Sequence, residues 1–252
     1  MELTEKQKLA LSNSKKKAKI HEKGLEYHIG NRFDDLGIDK SYINKIINHF
    51  TNNTTVTSKI KELVGVNQSI FQIWLDDPTI KNSFETKSKG AGYDVLRTGI
   101  ENLLFHNAYS DAIPQEKPKY GSINFKDDYF GDPLCVSYGR VTLIYKPEIK
   151  DRVTFTFNDS FVGMLYICTF KYFSHILYHI SERDIKAMIE IIDSGNVSAY
   201  NFTTYIEAQI HGPVDVSKDV ERITIPKDLY DAHKNSVDTF QEKYPQIDII
   251  IY

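Results

Sequence analysis

The 252-residue chain contains only two cysteines, Cys135 and Cys168, and they make no CxxC spacing. No paired histidines accompany them, so neither a disulfide framework nor a zinc site is expected, no metal is called for, and a reducing compartment suits the sequence. Long apolar runs are missing as well. Nowhere do about 18 apolar residues follow one another, which excludes a membrane-spanning helix. The opening segment MELTEKQKLALSNSKKKAK has no apolar stretch of signal-peptide length, and the expectation is a soluble, cytoplasmic protein. Charge of one sign is not in excess: 31 Lys and Arg stand against 34 Asp and Glu, a net −3, so no global basic field argues for nucleic acid as a partner. No complete GxGxxG or Walker pattern occurs, and there is no internal repeat or low-complexity tract.

What is present is enough apolar sequence, 41%, for a sizeable core in one large domain or in one domain with an appended segment. Thr4 is placed to cap a helix that runs to about residue 23, and Lys15-Lys16-Lys17 reads as its solvated face. Residues 40–75 carry helical periodicity, with Tyr42, Ile43, Ile46, Ile47 and Phe50 on one stripe and Ile60, Leu63 and Val64 on another. From residue 80 the texture changes. Residues 80–86 read as a strand, 87–92 as a loop and 93–105 as a helix. Residues 119–125, 136–145 and 152–157 read as strands, with Asn158-Asp159-Ser160 as a turn. Residues 164–180 are dense in aromatics and fit a buried helix or strand. Ser181 caps a helix over 182–193 that Gly195-Asn196 ends, and a strand (220–225), a helix (226–244) and a strand (247–252) follow. Strands succeed one another without regular helical crossovers, so the class is α+β. A mostly helical region, residues 1–79, is expected to pack on a strand-rich unit, residues 80–252.

The stretch that organises this reading is Tyr205-Ile206-Glu207-Ala208-Gln209-Ile210-His211-Gly212. Its period of two turns Tyr205, Glu207, Gln209 and His211 to one side, and Gly212-Pro213 stops the run. Four such side chains suit a core only if they line a cleft, because a buried carboxylate or amide needs partners. A strand with one face in water produces the same alternation without any site.

Five segments in order resemble the family known as domain of unknown function 3626, which is largely bacterial. They are Phe84-Glu85-Thr86; Ala108-Tyr109 with Asp111-Ala112; Lys117-Pro118-Lys119-Tyr120-Gly121; Thr154-Phe155-Thr156-Phe157 with Asp159-Ser160; and Glu207-Ala208-Gln209-Ile210-His211-Gly212-Pro213. The first departs from the family pattern, which has an arginine three residues before the Phe and an Asn-Gly loop after the Thr. Here Lys81 and Lys87-Ser88-Lys89-Gly90 take those places, and the bidentate guanidinium fork is lost. The layout is also similar to the ADP-ribosyltransferase superfamily. Tyr205-Ile206-Glu207 resembles the Tyr-x-Glu strand of its poly-ADP-ribose polymerase branch, and Tyr120-Gly121-Ser122-Ile123-Asn124-Phe125 its middle motif. Toxin-like members carry Glu or Gln two residues before the catalytic Glu, where this chain has Tyr205.

That second resemblance implies split antiparallel sheets, NAD as a substrate and ADP-ribosyl transfer to a protein side chain, with arginine slightly favoured. An effector delivered into another cell would have the same sequence features. Glu207 would stabilise the oxocarbenium-like state at the ribose, and Gln209 or His211 would orient Glu207 or the acceptor. Tyr120 would stack on the nicotinamide, with Tyr205 a second candidate, while Gly121 and Asn124 belong to the same motif. Lys81 would hold the diphosphate, and Glu85 and Thr86 would contact the amide or ribose, or else cap the strand end. Water as acceptor would make the protein an NAD glycohydrolase. The competing class is a non-catalytic interaction domain in which the polar strand docks a partner.

Overall fold

The computed structural model describes residues 2–64, 68–87, 89–162, 166–195 and 202–252. The chain opens with α1 (Glu5–Asp35) and α2 (Ser41–Asn53), then β1 (Thr55–Ile60), the short pair β2 (Leu63–Val64) and β3 (Gln68–Ser69), and α3 (Ile70–Asp76). One turn of helix, α4 (Ser83–Thr86), precedes α5 (Ala91–Phe105). Next come β4 (Lys119–Asn124), β5 (Val141–Tyr145), β6 (Val153–Phe157) and β7 (Cys168–Thr169), followed by α6 (Ile176–His179) and α7 (Glu182–Ser194). The last elements are β8 (Ile206–Ile210), α8 (Val216–Asp219), β9 (Val220–Ile225), α9 (Lys227–Lys243) and β10 (Asp248–Ile251).

Eight strands form one open sheet in the order β10-β9-β5-β1-β4-β8-β6-β7, antiparallel except where β10 runs parallel to β9. The α+β class stands; among the described residues the main strands make this one open sheet, with β2 and β3 pairing apart from it. β1 pairs with β4 on one side (Val56 opposite Ile123) and with β5 on the other (Ser58 opposite Leu143), while β4 continues onto β8 (Gly121 opposite Ala208). The bridging strand lies in a segment expected to be helical. Asn52 and Asn53 end α2, and Thr55-Val56-Thr57 is a β-branched run whose χ1 stiffness suits a pleated surface better than a helix. The region before residue 80 thus supplies a strand to the middle of the sheet.

Other expectations also need correction. Residues 80–86 are not a strand: Asn82 and Glu85 form a capping box that starts α4, and Lys87 closes it in the left-handed region (φ 54°). Of residues 136–145 only the last five are extended, since Pro133–Tyr138 is a 3-10 turn. α1 reaches Asp35 rather than residue 23, held by a Thr4–Gln7 capping box and by burial of Ile29 and Phe33. Ser88, Met164 and Asn196 lie outside the described residues. Among the described residues no helix is long and apolar enough to cross a membrane.

The two faces of the sheet differ in chemistry. Ile123, Phe155, Phe157, Ile206, Ala208 and Ile210 bury one face in the main core, which Phe33, Phe50, Ile185 and Met188 complete from α1, α2 and α7. On the opposite face the same strands carry Tyr120, Ser122, Thr154, Thr156, Glu207 and Gln209, as the register requires. A smaller apolar cluster of Ala10, Leu104, Phe105, Ala108, Tyr109 and Ile167 covers part of that side.

Gly121 shows how tightly β1 and β4 meet: a Cβ there would lie 2.2 Å from the Thr57 carbonyl oxygen and 2.8 Å from Ser58 Oγ. Gly121→Ala is therefore expected to destabilise by about 2–4 kcal/mol in urea unfolding. Gly24→Ala, in an open position on α1 with nothing within 4 Å, should stabilise by about 0.5–1 kcal/mol. Equal effects at the two sites would contradict the close approach at Gly121.

Candidate functional site

On the polar face, register sets Glu207 opposite Ser122 and Thr156, and Gln209 opposite Tyr120 and Thr154. The Glu207 carboxylate accepts hydrogen bonds from Ser160 Oγ and, at 2.8 Å, from Gln209 Nε2. Arg97 reaches it from α5, with Nη2 at 3.5 Å, while its Nη1 donates to Ser160 Oγ at 3.0 Å. The same guanidinium lies over the Tyr120 ring, 3.7 Å from the centroid. Tyr120 Oη donates to Glu101 Oε1 at 2.8 Å, and Glu101 Oε2 takes Lys117 Nζ at 3.0 Å. Exposure is 3% for Arg97, 4% for Glu207 and zero for Glu101, Gln209 and His211, so these charges depend on one another rather than on water.

The other end of the cluster is a directional chain. A carboxylate can only accept, so the Gln209 amide must turn its NH2 toward Glu207 and its Oε1 toward Thr154. Thr154 Oγ1 gives its one proton to Gln209 Oε1 at 3.0 Å and must therefore accept from His211 Nε2, also at 3.0 Å. His211 Nδ1 is left to accept from Tyr109 Oη at 2.6 Å. One neutral tautomer satisfies every group, and four hydrogen bonds run Tyr109, His211, Thr154, Gln209, Glu207. Burial, helped by Arg152, pushes the imidazole down to about 3, in keeping with that neutral state. Burial also pushes the Glu207 carboxyl up, opposed by Arg97, Ser160 and Gln209. Arg97 stays cationic: burial works against its charge, but Tyr120 and Glu207 outweigh it.

Of the residues singled out in the sequence, Glu207, Gln209, His211 and Tyr120 converge here. Tyr205 sits just before β8 with its hydroxyl 3.1 Å from that of Tyr138. Gly121 points to the opposite face and serves strand approach. Asn124 closes the turn after β4, donating to the Asp128 carbonyl at 2.8 Å. The contacts of Lys81, Glu85 and Thr86 lie elsewhere. Lys81 is exposed and pairs with Asp77 at 3.0 Å, Glu85 completes the Asn82 capping box and meets Lys119 at 2.8 Å, and Thr86 Oγ1 donates to the Asn82 carbonyl. The strand-end capping reading of Glu85 is thus the one its contacts follow, on a helix rather than a strand. Tyr120, expected to stack on a ligand, already carries the Arg97 guanidinium on its ring.

Arg97 and Glu101 are not legible as site residues from the apolar content of α5 alone. Their spacing of four on one helix face is the signal that finds them. Ser160 reads in the sequence as part of a turn. Tyr109, Lys117 and Thr154 stand in the family-like segments without a role. Among the described residues no three His, Cys, Asp or Glu side chains are grouped to hold a metal ion.

The model of a family described as protein of unknown function (DUF3626) matches residues 59–188, just over half of the chain. The match contains Arg97, Glu101, Tyr120 and Ser160, whereas β8 lies beyond it. No curated protein matches the chain.

A neutral, buried His211 carries a pH signature. Its pKa is about 3 when folded and near 6.5 when free, so its contribution to stability is complete above about pH 6.5 and is lost as pH falls toward 3. His175, pushed down to about 4 chiefly by burial, acts in the same direction. Between pH 6.5 and 4.5 each is worth about 2–3 kcal/mol. Urea midpoints should drop over that range, and drop less in His211→Gln. An identical pH dependence in the two proteins would contradict a buried, neutral His211.

Proposed function

The chain belongs to the family described as protein of unknown function (DUF3626), and on that premise we propose that it is an NAD-dependent ADP-ribosyltransferase acting on a protein side chain, arginine being the favoured acceptor. The observation that supports this reading is a buried strand carboxylate, Glu207, held in one orientation by Ser160 and Gln209, with the Arg97 guanidinium beside it lying over the Tyr120 ring. Cleavage of the nicotinamide–ribose bond sends the bonding pair out with nicotinamide and leaves positive charge on the ribose carbon and its ring oxygen. A fixed carboxylate stabilises that charge without reorganising. The acceptor nitrogen then bonds to the same carbon and its proton leaves to solvent. Ser160 and Gln209 keep Glu207 in place, and the chain from Tyr109 through His211 and Thr154 fixes Gln209 in turn.

The α5 helix encloses Glu207, and an enclosed site admits water more readily than a protein side chain. That observation favours NAD glycohydrolase as the second reading, with water attacking the ribose carbon at the same residues.

The test is nicotinamide release from NAD by the purified protein, with and without cell lysate. Glu207→Gln should lower release by about 100-fold or more. Because it leaves Arg97 without its carboxylate it should also melt below the native protein, so release is compared at a temperature where its melting curve shows it folded. Burial raises the Glu207 pKa, and the ionised form is the active one, so the rate should fall on acidification at a pH above the usual carboxylate value of 4.5. Release that needs lysate identifies the transferase, and release without it the glycohydrolase. No release under either condition leaves the non-catalytic interaction domain.

A further inference from the structure

α5 lies on the sheet with its amphipathic character reversed. Its buried side chains include Arg97 and Glu101, whereas Val95, Leu96 and Leu103 face outward, 72%, 60% and 60% exposed. Its apolar anchorage is concentrated in the last turn, where Leu104 and Phe105 join the small cluster with Ala10, Ala108 and Tyr109. The earlier turns are held by polar and ring contacts: Arg97 to Ser160, Glu207 and Tyr120, Glu101 to Tyr120 and Lys117, and Tyr93 stacked on Phe161 at 5.0 Å. Left-handed residues bound the helix at both ends, Gly90 (φ 81°) before it and His106 and Asn107 (φ 50° and 58°) after it. An element anchored at one end and polar along the other is suited to turning about the anchored end.

Arg97 fills its place without matching it. A guanidinium built to bind a carboxylate makes two parallel short contacts, but here a single nitrogen approaches Glu207, at 3.5 Å. The Nε of Arg97 is buried with no hydrogen-bond partner among the described residues. What the surroundings do match is a flat, delocalised cation: the face of an aromatic ring, a carboxylate beside it and a hydroxyl in reach. If Arg97 left, Glu207 would remain buried and unpaired, a costly state that another cation relieves. Exchange of one cation for another conserves the charge balance of the interior.

We infer that the space filled by Arg97 is a binding site for a flat organic cation, that Arg97 is its internal occupant, and that the site opens when the first turns of α5 lift about His106 and Asn107. For the natural ligand this rests on the function proposed above, since the pyridinium ring of NAD is such a cation. The site itself is defined by Tyr120, Glu207 and Ser160 without reference to NAD.

The probe is 1-methylnicotinamide, a flat cation with no nucleotide attached, and the neutral, similarly shaped benzamide is its control. Arg97→Ala should melt below the native protein, and 1-methylnicotinamide should raise its melting temperature by about 3 °C or more, with little response to benzamide. Arg97→Lys, which keeps a charge but not the planar group, should respond in the same direction. The response should vanish when Glu207→Gln is added. In the native protein, hydrogen exchange of residues 91–101 should quicken when the probe binds, a reading that needs no variant. If neither variant responds and exchange in α5 is unchanged, Arg97 is a structural ion-pair partner and the inference falls. A cation response without nicotinamide release from NAD by any of these proteins retains the site and removes the transferase and glycohydrolase readings. Release by the native protein with no cation response does the reverse.

Discussion

A carboxylate taken out of water has to be answered by charge and hydrogen bonds, and in this protein the answer to Glu207 is Arg97. The pair lies between β8 and α5 at 3.5 Å, with both side chains almost wholly buried. Much else follows from it. Ser160 bonds to both partners, Gln209 turns its NH2 inward, and Tyr120 offers its ring to the guanidinium and its hydroxyl to Glu101. Removing either charge leaves the other stranded, which is why the polar face reads as one unit rather than as separate contacts.

The sheet tolerates such a face because its opposite side is a conventional core. The strand residues that alternate with the polar set, among them Ile123, Phe155, Ile206, Ala208 and Ile210, belong to one buried core that residues of α1, α2 and α7 complete, and that burial holds the strands in register. The close seam between β1 and β4 depends in addition on the missing side chain of Gly121. A rigid apolar layer thus carries a polar surface whose members keep their positions, as a site for chemistry requires.

Much of this is legible in the sequence, and the failures have physical causes. The alternation of Glu207, Gln209 and His211 on β8 is readable because a period of two that stops at Gly-Pro suits a strand and does not suit a helix. β1 is not, because Ile60, Leu63 and Val64 mimic a helical stripe and because the strand follows a true helix with only Thr54 between them. Residues 80–86 mislead for the opposite reason: Asn82 and Glu85 spell a helix start, but the apolar residues around them suggest a strand. Arg97 and Glu101 are hidden because α5 turns its polar residues inward, against the rule by which helix faces are assigned. The family-like segments do better than periodicity here. Tyr109, Thr154 and Ser160 come from stretches distant in sequence, and the fold gathers them around β8, while Lys117 joins the cluster through Glu101.

The central claim is that Arg97 and Glu207 answer each other, and a double-mutant cycle in unfolding free energy tests it most directly. The four proteins are the native chain, Arg97→Met, Glu207→Gln and the double variant. The account predicts that Arg97→Met alone is strongly destabilising, that the double variant recovers a large part of the loss, and that the coupling energy is about 2 kcal/mol or more. Additive effects, with coupling below about 0.5 kcal/mol, would mean that the two charges are held by their other neighbours. The polar face would then not be organised around Glu207.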